Sequence, residues 1–228
     1  MTFDPLAGTP WSRPESVAGF RAAPPNETLL TFAAAEHRRA PHGLAIDIGC
    51  GAGRNAVPLA EHGWQILGLD WSWPMLAAAA DRAVEHGVAD RLRLALCPMD
   101  DLAARDHAFD LIVAHGIWNL ARSAAELRRG VEEAARVARP SAGLFVFTFS
   151  RNTLPVDAVP VPGEPFVYTQ FSGQPQCFLT RPQLTQELAR VGFVPDATVP
   201  FTEHNLPKPG ALPTGRGPVI YEAAFRLG

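Results

Sequence analysis

The stretch most able to bind a ligand in this chain of 228 residues is an acid followed by three alternating glycines. Asp47 lies near the end of an apolar run, and the glycines follow it: Gly49, Gly51 and Gly53. Glycine adopts positive φ angles readily and lets a ligand approach the backbone closely. A helix expected over 54–62 adds free N–H groups at its first turn. The spacing therefore predicts a strand, a tight turn and a helix that together bind a small molecule.

Two classes of ligand fit such a turn. The glycines can be aligned with the dinucleotide fingerprint G-x-G-x-x-G/A, which indicates an NAD-dependent oxidoreductase. The carboxylate of Asp47 would repel a pyrophosphate, but it would attract a cation such as the ammonium group of an amino-acid-like cofactor. The pattern therefore favours S-adenosylmethionine over NAD, and the oxidoreductase remains the alternative.

A second acid supports a nucleoside ligand. Asp70 follows a strand predicted over 64–69, about 20 residues beyond the glycines, where dinucleotide folds place an acid that binds ribose. A carboxylate can accept hydrogen bonds from two vicinal hydroxyls. The alternative is that Asp70 caps the next helix, but Ser72, just before Pro74, is better placed for that role. We therefore expect Asp70 to bind a ribose.

Three stretches together resemble a known family. They are Asp47-Ile48-Gly49-Cys50-Gly51-Ala52-Gly53-Arg54-Asn55, Leu59-Ala60-Glu61-His62-Gly63-Trp64 and Gly68-Leu69-Asp70-Trp71-Ser72. They resemble the class I S-adenosylmethionine-dependent methyltransferases, and their details look most like the thiopurine and tellurite-resistance type branch. The resemblance runs in order from Leu44 to Phe149 and more loosely to the C-terminus. It implies an enzyme that transfers a methyl group from S-adenosylmethionine to a small molecule by in-line displacement.

The resemblance also implies a set of residues that bind the cofactor. In chain order they are Asp47, Gly49, Cys50, Gly51, Gly53, Arg54, Asn55, Asp70, Trp71, Ser72, Met99, Asp100 and His115. Pro98 stands where many members of the family carry an acid that accepts from the adenine amine. Asp100, Asp101 or backbone groups near Met99 can replace that acid, and we favour Asp100, with Met99 as an apolar wall.

The acceptor site is less marked in the sequence. Side chains expected to line it are Trp11, Trp118, Asn119 and Phe178, and candidates for a general base are His115, Glu203 and His204. Sulfur, selenium and tellurium nucleophiles need little help from a base, because their deprotonated forms are accessible near neutral pH. Oxygen and nitrogen acceptors need a base more often. The acceptor atom and the catalytic residue therefore stay open.

No metal site is expected. Cys50, Cys97 and Cys177 show no paired spacing, which disfavours a zinc site, a disulfide scaffold and a metalloid site built from all three thiols. Because no pair of residues identifies a base, a non-catalytic subunit that binds S-adenosylmethionine remains a further alternative to the enzyme.

Alternating strand and helix patterns predict how these residues are positioned. Helices are expected over 26–39, 54–62, 73–87, 123–138 and 181–191, and strands over 44–48, 64–69, 92–96, 109–114, 143–149, 193–200 and 218–226. This order predicts an α/β, Rossmann-like, seven-stranded and mostly parallel sheet with helices on both faces, to which the resemblance adds an antiparallel last hairpin. Such sheets bind ligands beyond the carboxyl ends of their strands. The proline-rich stretch 154–165 is expected to form a loop over the sheet edge.

Composition sets limits on size, partners and location. With 47% apolar residues, the chain can bury one core, so a single globular domain is expected. The resemblance implies a methyltransferase domain over 44–228, preceded by an N-terminal helical or lid segment over 1–43. A net charge of −3 and the lack of basic stretches interleaved with aromatics indicate no nucleic-acid partner. No apolar run approaches membrane-spanning length, and no signal pattern begins the sequence. We therefore expect a cytoplasmic monomer or homodimer with no membrane partner.

Overall fold

The computed structural model describes residues 3–206 and 217–228, in which helices and strands alternate along the chain. The helices are α1 (Pro14–Ala22), α2 (Glu27–Arg39), α3 (Ala56–Glu61), α4 (Trp73–Glu85), α5 (Ala124–Val137) and α6 (Arg181–Ala189). The strands are β1 (Leu44–Ile48), β2 (Gln65–Asp70), β3 (Leu92–Leu96), β4 (Phe109–His115), β5 (Ala138–Phe149), β6 (Val167–Tyr168), β7 (Gln176–Cys177), β8 (Phe193–Pro195), β9 (Thr202–His204) and β10 (Ile220–Leu227).

One sheet forms the centre of the molecule, with strand order β3-β2-β1-β4-β5-β10-β8 and with β9 paired to β10. The strands from β1 to β5 pair in parallel, and β10 runs antiparallel to β5, β8 and β9. The predicted sheet of mostly parallel strands with an antiparallel end is therefore confirmed, and β9 adds an eighth strand that the sequence does not predict. Because the strand order reverses between β1 and β4, the carboxyl ends of those strands border the crevice where such sheets bind ligands.

Helices cover both faces of this sheet, as predicted. On one face α5 and α6 bury an apolar core that includes Leu127, Val131, Leu184, Ile112 and Leu144. On the other face α2, α3 and α4 bury a second core that includes Phe32, Leu59, Leu76, Val113 and Phe145. Removing these side chains from water is the main force that holds the helices on the sheet, at about 25 cal/mol per Å² of apolar surface.

Polar residues at the helix starts explain where the helices begin. The side chain of Asn26 accepts a hydrogen bond from the backbone N–H of Leu29 at 2.8 Å, and that of Ser72 accepts one from Met75 at 3.4 Å. Thr180 forms a complete capping box with Gln183 at the start of α6. The cap that the sequence predicts at Ser72 is therefore present, and each of these caps contributes about 1 kcal/mol.

The clearest error in the predicted elements concerns the strand over 193–200. β8 ends at Pro195, because Asp196 turns the chain by accepting hydrogen bonds from the backbone N–H and the hydroxyl of Thr198, at 2.9 and 2.7 Å. Pairing resumes only in β9, beyond Pro200, since proline cannot donate to a strand ladder.

Among the smaller differences in element boundaries, two concern the starts of α3 and β5. α3 begins at Ala56 rather than at 54, because the glycine turn continues to Asn55. β5 begins at Ala138 rather than at 143, because Ala138 already pairs with Phe109 of β4. The register of the two strands then shifts between Phe109 and Leu111.

The N-terminal residues form two helices with different attachments. α1, which the sequence does not predict, lies on α4, where Arg21 pairs with Glu85 and Arg82 donates to the carbonyl of Arg21 at 3.0 Å. α2 buries Leu29 and Phe32 in the core of the sheet. The segment expected over 1–43 therefore includes one helix that belongs to the main core, and only the part ahead of α2 lies outside it.

Candidate functional site at the carboxyl edge of the sheet

The three glycines after β1 all adopt positive φ angles, of 73° at Gly49, 53° at Gly51 and 75° at Gly53. Their surroundings differ. A Cβ atom at Gly49 would lie 2.8 Å from Ile117, and one at Gly53 would lie 3.1 Å from a side chain of α3, so the protein itself packs against both. At Gly51 the nearest atom would be Cδ1 of Phe20, at 3.8 Å. Gly51 is therefore the glycine at which a ligand has room to meet the backbone.

Asp47, near the end of β1, is buried, with 2% of its surface exposed. Its neighbours across the sheet, Gly68 and Val113, offer no polar side chain. Within residues 3–206 and 217–228, Oδ1 of this carboxylate has no hydrogen-bond partner. Burial, together with the charge of Asp70, raises the pKa of Asp47 to about 7. Since an unpaired buried carboxylate is costly, the site suits a cation that pairs with Asp47.

Asp70 ends β2 beside the glycine turn and holds that turn in place. Its carboxylate accepts hydrogen bonds from the backbone N–H groups of Gly51 and Ser72, both at 2.8 Å. Burial raises the pKa of Asp70, and these hydrogen bonds oppose the rise. A carboxylate has lone pairs for further bonds. The position therefore fits the predicted contact with ribose hydroxyls and adds a role in fixing Gly51.

Arg54 and Asn55, which the sequence assigns to the cofactor, contact the protein. Nε of Arg54 donates to the carbonyl of Pro24 at 2.5 Å, and Oδ1 of Asn55 accepts from the backbone N–H of Asn26 at 3.1 Å. Both side chains therefore hold the start of α2 against the glycine turn, a role that the sequence does not indicate.

Cys50 and Ser72 also use their side chains within the protein. Sγ of Cys50 packs against Gly68, where an added Cβ would lie only 3.0 Å from it. Ser72 is fully buried and donates to the carbonyl of Trp11 at 3.2 Å. Trp71, by contrast, is 38% exposed beside Asp70. Of these predicted contacts, only Trp71 presents an open side chain to a nucleoside, and Cys50 can meet one through its backbone.

Asp100, expected to accept from an adenine amine, is engaged by α5. Its Oδ2 accepts two hydrogen bonds from Arg129, at 2.7 and 3.1 Å. Met99 packs against the core on the α5 face. The acid is thus already paired with a cation, and its contact with adenine stays a prediction.

The segment ahead of α2 covers the glycine turn. The ring centroids of Trp11 and Phe20 lie 5.9 Å apart, and Trp11 packs on a small apolar cluster that includes Ala52 and Met75. Phe20 is the side chain nearest to the open side of Gly51. Trp11, predicted to contact the acceptor, therefore lies on the cofactor side of the site.

His115 ends β4 on the same face of the sheet as Asp47. Its ring stacks on Phe147, with centroids 4.1 Å apart, and its Nε2 lies 3.4 Å from Nδ2 of Asn26. Burial, with the nearby charge of Arg54, lowers the pKa of His115 to about 4. The ring is therefore neutral at pH 7 and holds a proton too weakly for a good general base.

The sequence analysis misses Glu222, a buried acid in β10 that joins several elements. Its Oε2 accepts from Nδ2 of Asn26 at 2.7 Å, and its Oε1 accepts from Nε2 of His204 at 3.2 Å. Burial alone would raise the pKa of this carboxyl, but hydrogen bonds from Asn26, Thr28 and His204 lower it overall. No local motif marks Glu222, because these two hydrogen-bond partners lie 196 and 18 residues away in the chain.

Glu203 and His204, neighbours in β9, point to opposite faces of the sheet. Glu203 accepts from Nδ2 of Asn152 at 2.8 Å on one face, whereas His204 meets Glu222 on the other. Glu222 shares its face with His115, because both pair with the same residue of β5. The structure therefore brings His204, and not Glu203, to the face that carries His115.

Two residues predicted to contact the acceptor belong to the core. Trp118 is 1% exposed, and its Nε1 would lie 3.5 Å from a Cβ added at Gly130 of α5. Phe178 is fully buried in a cluster with Tyr168. Neither side chain reaches an open surface, so their contact with an acceptor stays a prediction to which this arrangement gives no support. Asn119 is also buried, but its Oδ1 has no hydrogen-bond partner in the described part of the chain, and it remains a candidate.

The proline-rich stretch forms a loop beyond the carboxyl end of β5. Arg151 holds this loop by donating hydrogen bonds to four backbone carbonyls, those of Leu154, Pro155, Val156 and Ala158. A cavity of about 630 Å³ lies between the loop and Leu206 and is lined also by Asn152. The cavity is separate from the glycine turn.

The three cysteines are separate, buried thiols, and burial raises the pKa of each. Across residues 3–206 and 217–228, no group of three or more His, Cys, Asp and Glu side chains is arranged to hold a metal ion. Nor does any helix in those ranges have the length and apolar content needed to cross a bilayer.

Residues 45–141 match the family described as "Methyltransferase domain". The demethylmenaquinone methyltransferase of Corynebacterium glutamicum is 32% identical to this chain over 117 residues, which are 51% of this chain and 46% of the relative. The chain thus matches about half the length of that relative.

Solved structures share the fold over most of the chain. An S-adenosylmethionine dependent methyltransferase from Mesorhizobium loti gives a TM-score of 0.65 at 19% identity, covering 91% of this chain and 100% of that one. The 1,6-didemethyltoxoflavin-N1-methyltransferase of Burkholderia thailandensis, with bound 1,6-didemethyltoxoflavin and S-adenosylhomocysteine, gives 0.61 at 19% identity, over 88% and 78%. None of these three proteins is named as a thiopurine or tellurite methyltransferase, so that branch stays a prediction. Residues 45–141 therefore match the methyltransferase domain, and the chain as a whole has the fold of these solved methyltransferases.

Proposed function

We propose that this protein transfers a methyl group from S-adenosylmethionine to a small-molecule acceptor. The observation that carries the proposal is Asp47, a buried carboxylate whose Oδ1 has no partner among the described residues. It lies beside the crevice between β1 and β4. The ammonium group of the methionine part of the cofactor is the cation that this carboxylate lacks, and low-dielectric surroundings strengthen such a pair.

The neighbouring residues fit the rest of the cofactor. Asp70 has lone pairs that can accept hydrogen bonds from the ribose hydroxyls. Beside it, Gly51 offers an open stretch of backbone, and Trp71 presents an exposed ring. The segment with Phe20 covers the same place and would exclude water from it. Because the cofactor supplies a methyl group that is already activated, the protein mainly has to align the acceptor for in-line displacement.

We propose that the acceptor enters beside β5 and β9. The cavity of about 630 Å³ at this place is an open surface depression, since most of its lining residues are exposed, and it has room for a small acceptor. Leu154, Pro155 and Val156 give it apolar walls, while Arg151 and Asn152 add polar groups. By their names, two relatives act on demethylmenaquinone and 1,6-didemethyltoxoflavin. These compounds come first in an acceptor screen, ahead of the thiols and chalcogen anions that the thiopurine and tellurite branch suggests.

Calorimetric titration with S-adenosylhomocysteine, with NAD as the parallel control, tests the cofactor. We expect micromolar binding of S-adenosylhomocysteine and none of NAD. Because Asp47 must lose its proton to pair with the ammonium group, and its pKa is raised to about 7, binding should weaken as the pH falls below that value. Binding of NAD alone would return the chain to the oxidoreductase alternative.

A matched pair of variants and a transfer assay complete the test. Asp47→Asn should lose affinity for S-adenosylhomocysteine, whereas Asp90→Asn, which changes an exposed acid by the same amount of charge, should keep it. Transfer of a labelled methyl group to the acceptor panel then separates an enzyme from a non-catalytic subunit. Tight binding without transfer to any acceptor would favour the subunit.

A further inference from the structure

We propose that His204 and Glu222 form a dyad in which Glu222 positions His204 as the general base for an acceptor hydroxyl or amine. The inference rests on the proposed methyltransferase function and extends it to the nature of the acceptor atom. Its starting point is the distance of 3.2 Å between Nε2 of His204 and Oε1 of Glu222.

Glu222 fixes the tautomer of His204. This acid is 6% exposed and accepts hydrogen bonds on both of its oxygens, and a carboxylate can only accept. Nε2 of His204 must therefore carry the ring proton, while Nδ1 of the neutral ring keeps its lone pair. The side chain of His204 is 43% exposed, which leaves room for an acceptor beside the ring.

Asn26 occupies the other oxygen of Glu222 and leaves Oε1 to His204. Its Oδ1 accepts from the backbone N–H of Leu29 at 2.8 Å, so its amide nitrogen must face the other way. The two N–H groups of that nitrogen reach Oε2 of Glu222 at 2.7 Å and Nε2 of His115 at 3.4 Å. The two histidines thus have opposite roles: His115 accepts from Asn26 through Nε2, whereas His204 donates to Glu222 through Nε2 and keeps the lone pair of Nδ1.

The dyad lies at the edge of the sheet where the ligands are expected. His204 pairs with Ile220, which in turn pairs with Phe149, the last residue of β5. Leu206, two residues beyond the dyad histidine, lines the cavity after β5. A base at this position therefore lies at the carboxyl edge of the sheet, two residues from the cavity proposed for the acceptor.

The proton transfer that the dyad performs is balanced without another reagent. As the acceptor oxygen or nitrogen forms its bond to the methyl carbon, its proton moves to Nδ1 of His204. The carbon–sulfur bond breaks, and its electron pair stays on sulfur. Glu222 stabilises the positive charge that develops on the imidazole ring, as carboxylates do in other His–acid pairs. An acceptor that is already a thiolate has no proton to give, so it does not need the dyad.

A second His–acid pair in the molecule provides a matched control. Nδ1 of His86 lies 2.8 Å from Oε1 of Glu61, but both side chains are about equally open to solvent, at 40% and 41% exposed. The pair joins the C-terminal ends of α3 and α4, away from the carboxyl edge of the sheet. His86→Ala therefore removes a similar ion pair without touching the proposed site.

Nitrogen NMR of the full-length labelled protein tests the positioning role. We expect His204 to show the tautomer protonated at Nε2, and we expect Glu222→Gln to mix the two tautomers. An Nδ1-protonated His204 in the wild-type protein would overturn the dyad. This spectroscopic readout is independent of the stability that Glu222→Gln loses through Asn26.

Methyl transfer to 2-naphthol and 2-naphthalenethiol, two probes of nearly equal shape, tests the base. His204→Ala should lower kcat for the naphthol by a factor of about 100 or more, while leaving kcat for the thiol and the affinity for S-adenosylhomocysteine nearly unchanged. Glu222→Gln should lower kcat for the naphthol about tenfold with little change in KM, and His86→Ala should change neither rate.

Equal losses with the two probes, no loss with either, or wild-type transfer to the thiol alone would overturn the dyad. Failure of the wild-type protein with both probes and with every compound of the acceptor panel would instead contradict the proposed function, so the two failures can be told apart.

Discussion

Two buried carboxylates, Asp47 on the cofactor side of the crevice and Glu222 on the acceptor side, are treated in opposite ways by the fold. In the described residues Oδ1 of Asp47 has no hydrogen-bond partner, and burial raises the pKa to about 7. Glu222 is bonded on both oxygens, and its pKa is lowered. The comparison teaches that the proposed cofactor side holds an unmet polar group for a ligand, whereas on the proposed acceptor side both oxygens of Glu222 are satisfied within the protein, which orients His204.

The largest expected effect on stability comes from Asp47→Asn. A raised pKa means that the folded state holds the proton more tightly, so the cost of the carboxylate appears as the pH rises from about 4 to about 7 and is fully present above that. At about 1.4 kcal/mol per pKa unit, the variant should gain stability on the order of 4 kcal/mol at pH 8 and nothing at pH 4. Urea unfolding at the two pH values measures the difference.

Glu222→Gln should change the stability of the fold in the opposite direction, and it completes the test of the two carboxylates. A lowered pKa stabilises the fold above the ordinary pKa of the group, and the stability is lost as the pH falls through the folded value. Removing the charge and one acceptor should therefore cost about 1–3 kcal/mol at pH 8. If both variants shift stability in the same direction, the contrast between the two carboxylates is wrong.

Gly51→Val should give the next largest effect, on binding rather than on the fold. The open space beside Gly51 is where we expect the ligand, so a branched side chain should lower the affinity for S-adenosylhomocysteine more than 100-fold, about 3 kcal/mol. Gly87→Val is the matched control, because Gly87 has a φ of 68° and no neighbour within 4 Å of an added Cβ. Both variants carry the same backbone strain, and only the first should lose binding.

Asp70→Ala should have a smaller effect, which acts both on the affinity for the cofactor and on the rigidity of the glycine turn. Losing the acceptor for the ribose hydroxyls should weaken binding by about 1–3 kcal/mol, as expected for hydrogen bonds to a charged group. Losing the partner of the Gly51 and Ser72 N–H groups should also loosen the free turn. Calorimetry measures the loss of affinity, and amide hydrogen exchange at Gly51 measures the loosening of the turn. An unchanged affinity would show that Asp70 serves only to hold the turn.

The residues of the cofactor side could be predicted from the sequence because they lie close together in the chain. Asp47, the glycines and Asp70 fall within residues 47–70, and each type of residue has a local reason to stand where it does. The acceptor side depends on distant contacts: Glu222 meets Asn26 only because the sheet places β10 beside β5 and the start of α2 above both. Asn26 was recognisable as a helix cap, but its second role needs the fold.

Trp118 shows what an interpretation of the sequence alone does not predict. It follows β4, so its place in the chain suggests an acceptor contact, yet the structure turns it into the core against α5. Whether a side chain after a strand faces the ligand or the core depends on the path of the loop, which composition and periodicity do not encode.

Trp118→Phe should therefore have the smallest effect and should act on stability alone. Nε1 of Trp118 has no hydrogen-bond partner in the parts of the chain that the structure describes, so phenylalanine removes volume without breaking a bond. We expect a loss of about 1 kcal/mol or less, because large apolar swaps that keep most of the volume are tolerated. The KM for the acceptor should stay within about twofold of the wild-type value, since the side chain lies against Gly130 of α5 rather than in the cavity. A large rise in KM with unchanged stability would move Trp118 back to the acceptor site and would mean that its Nε1 serves a ligand, as we propose for the carboxylate of Asp47.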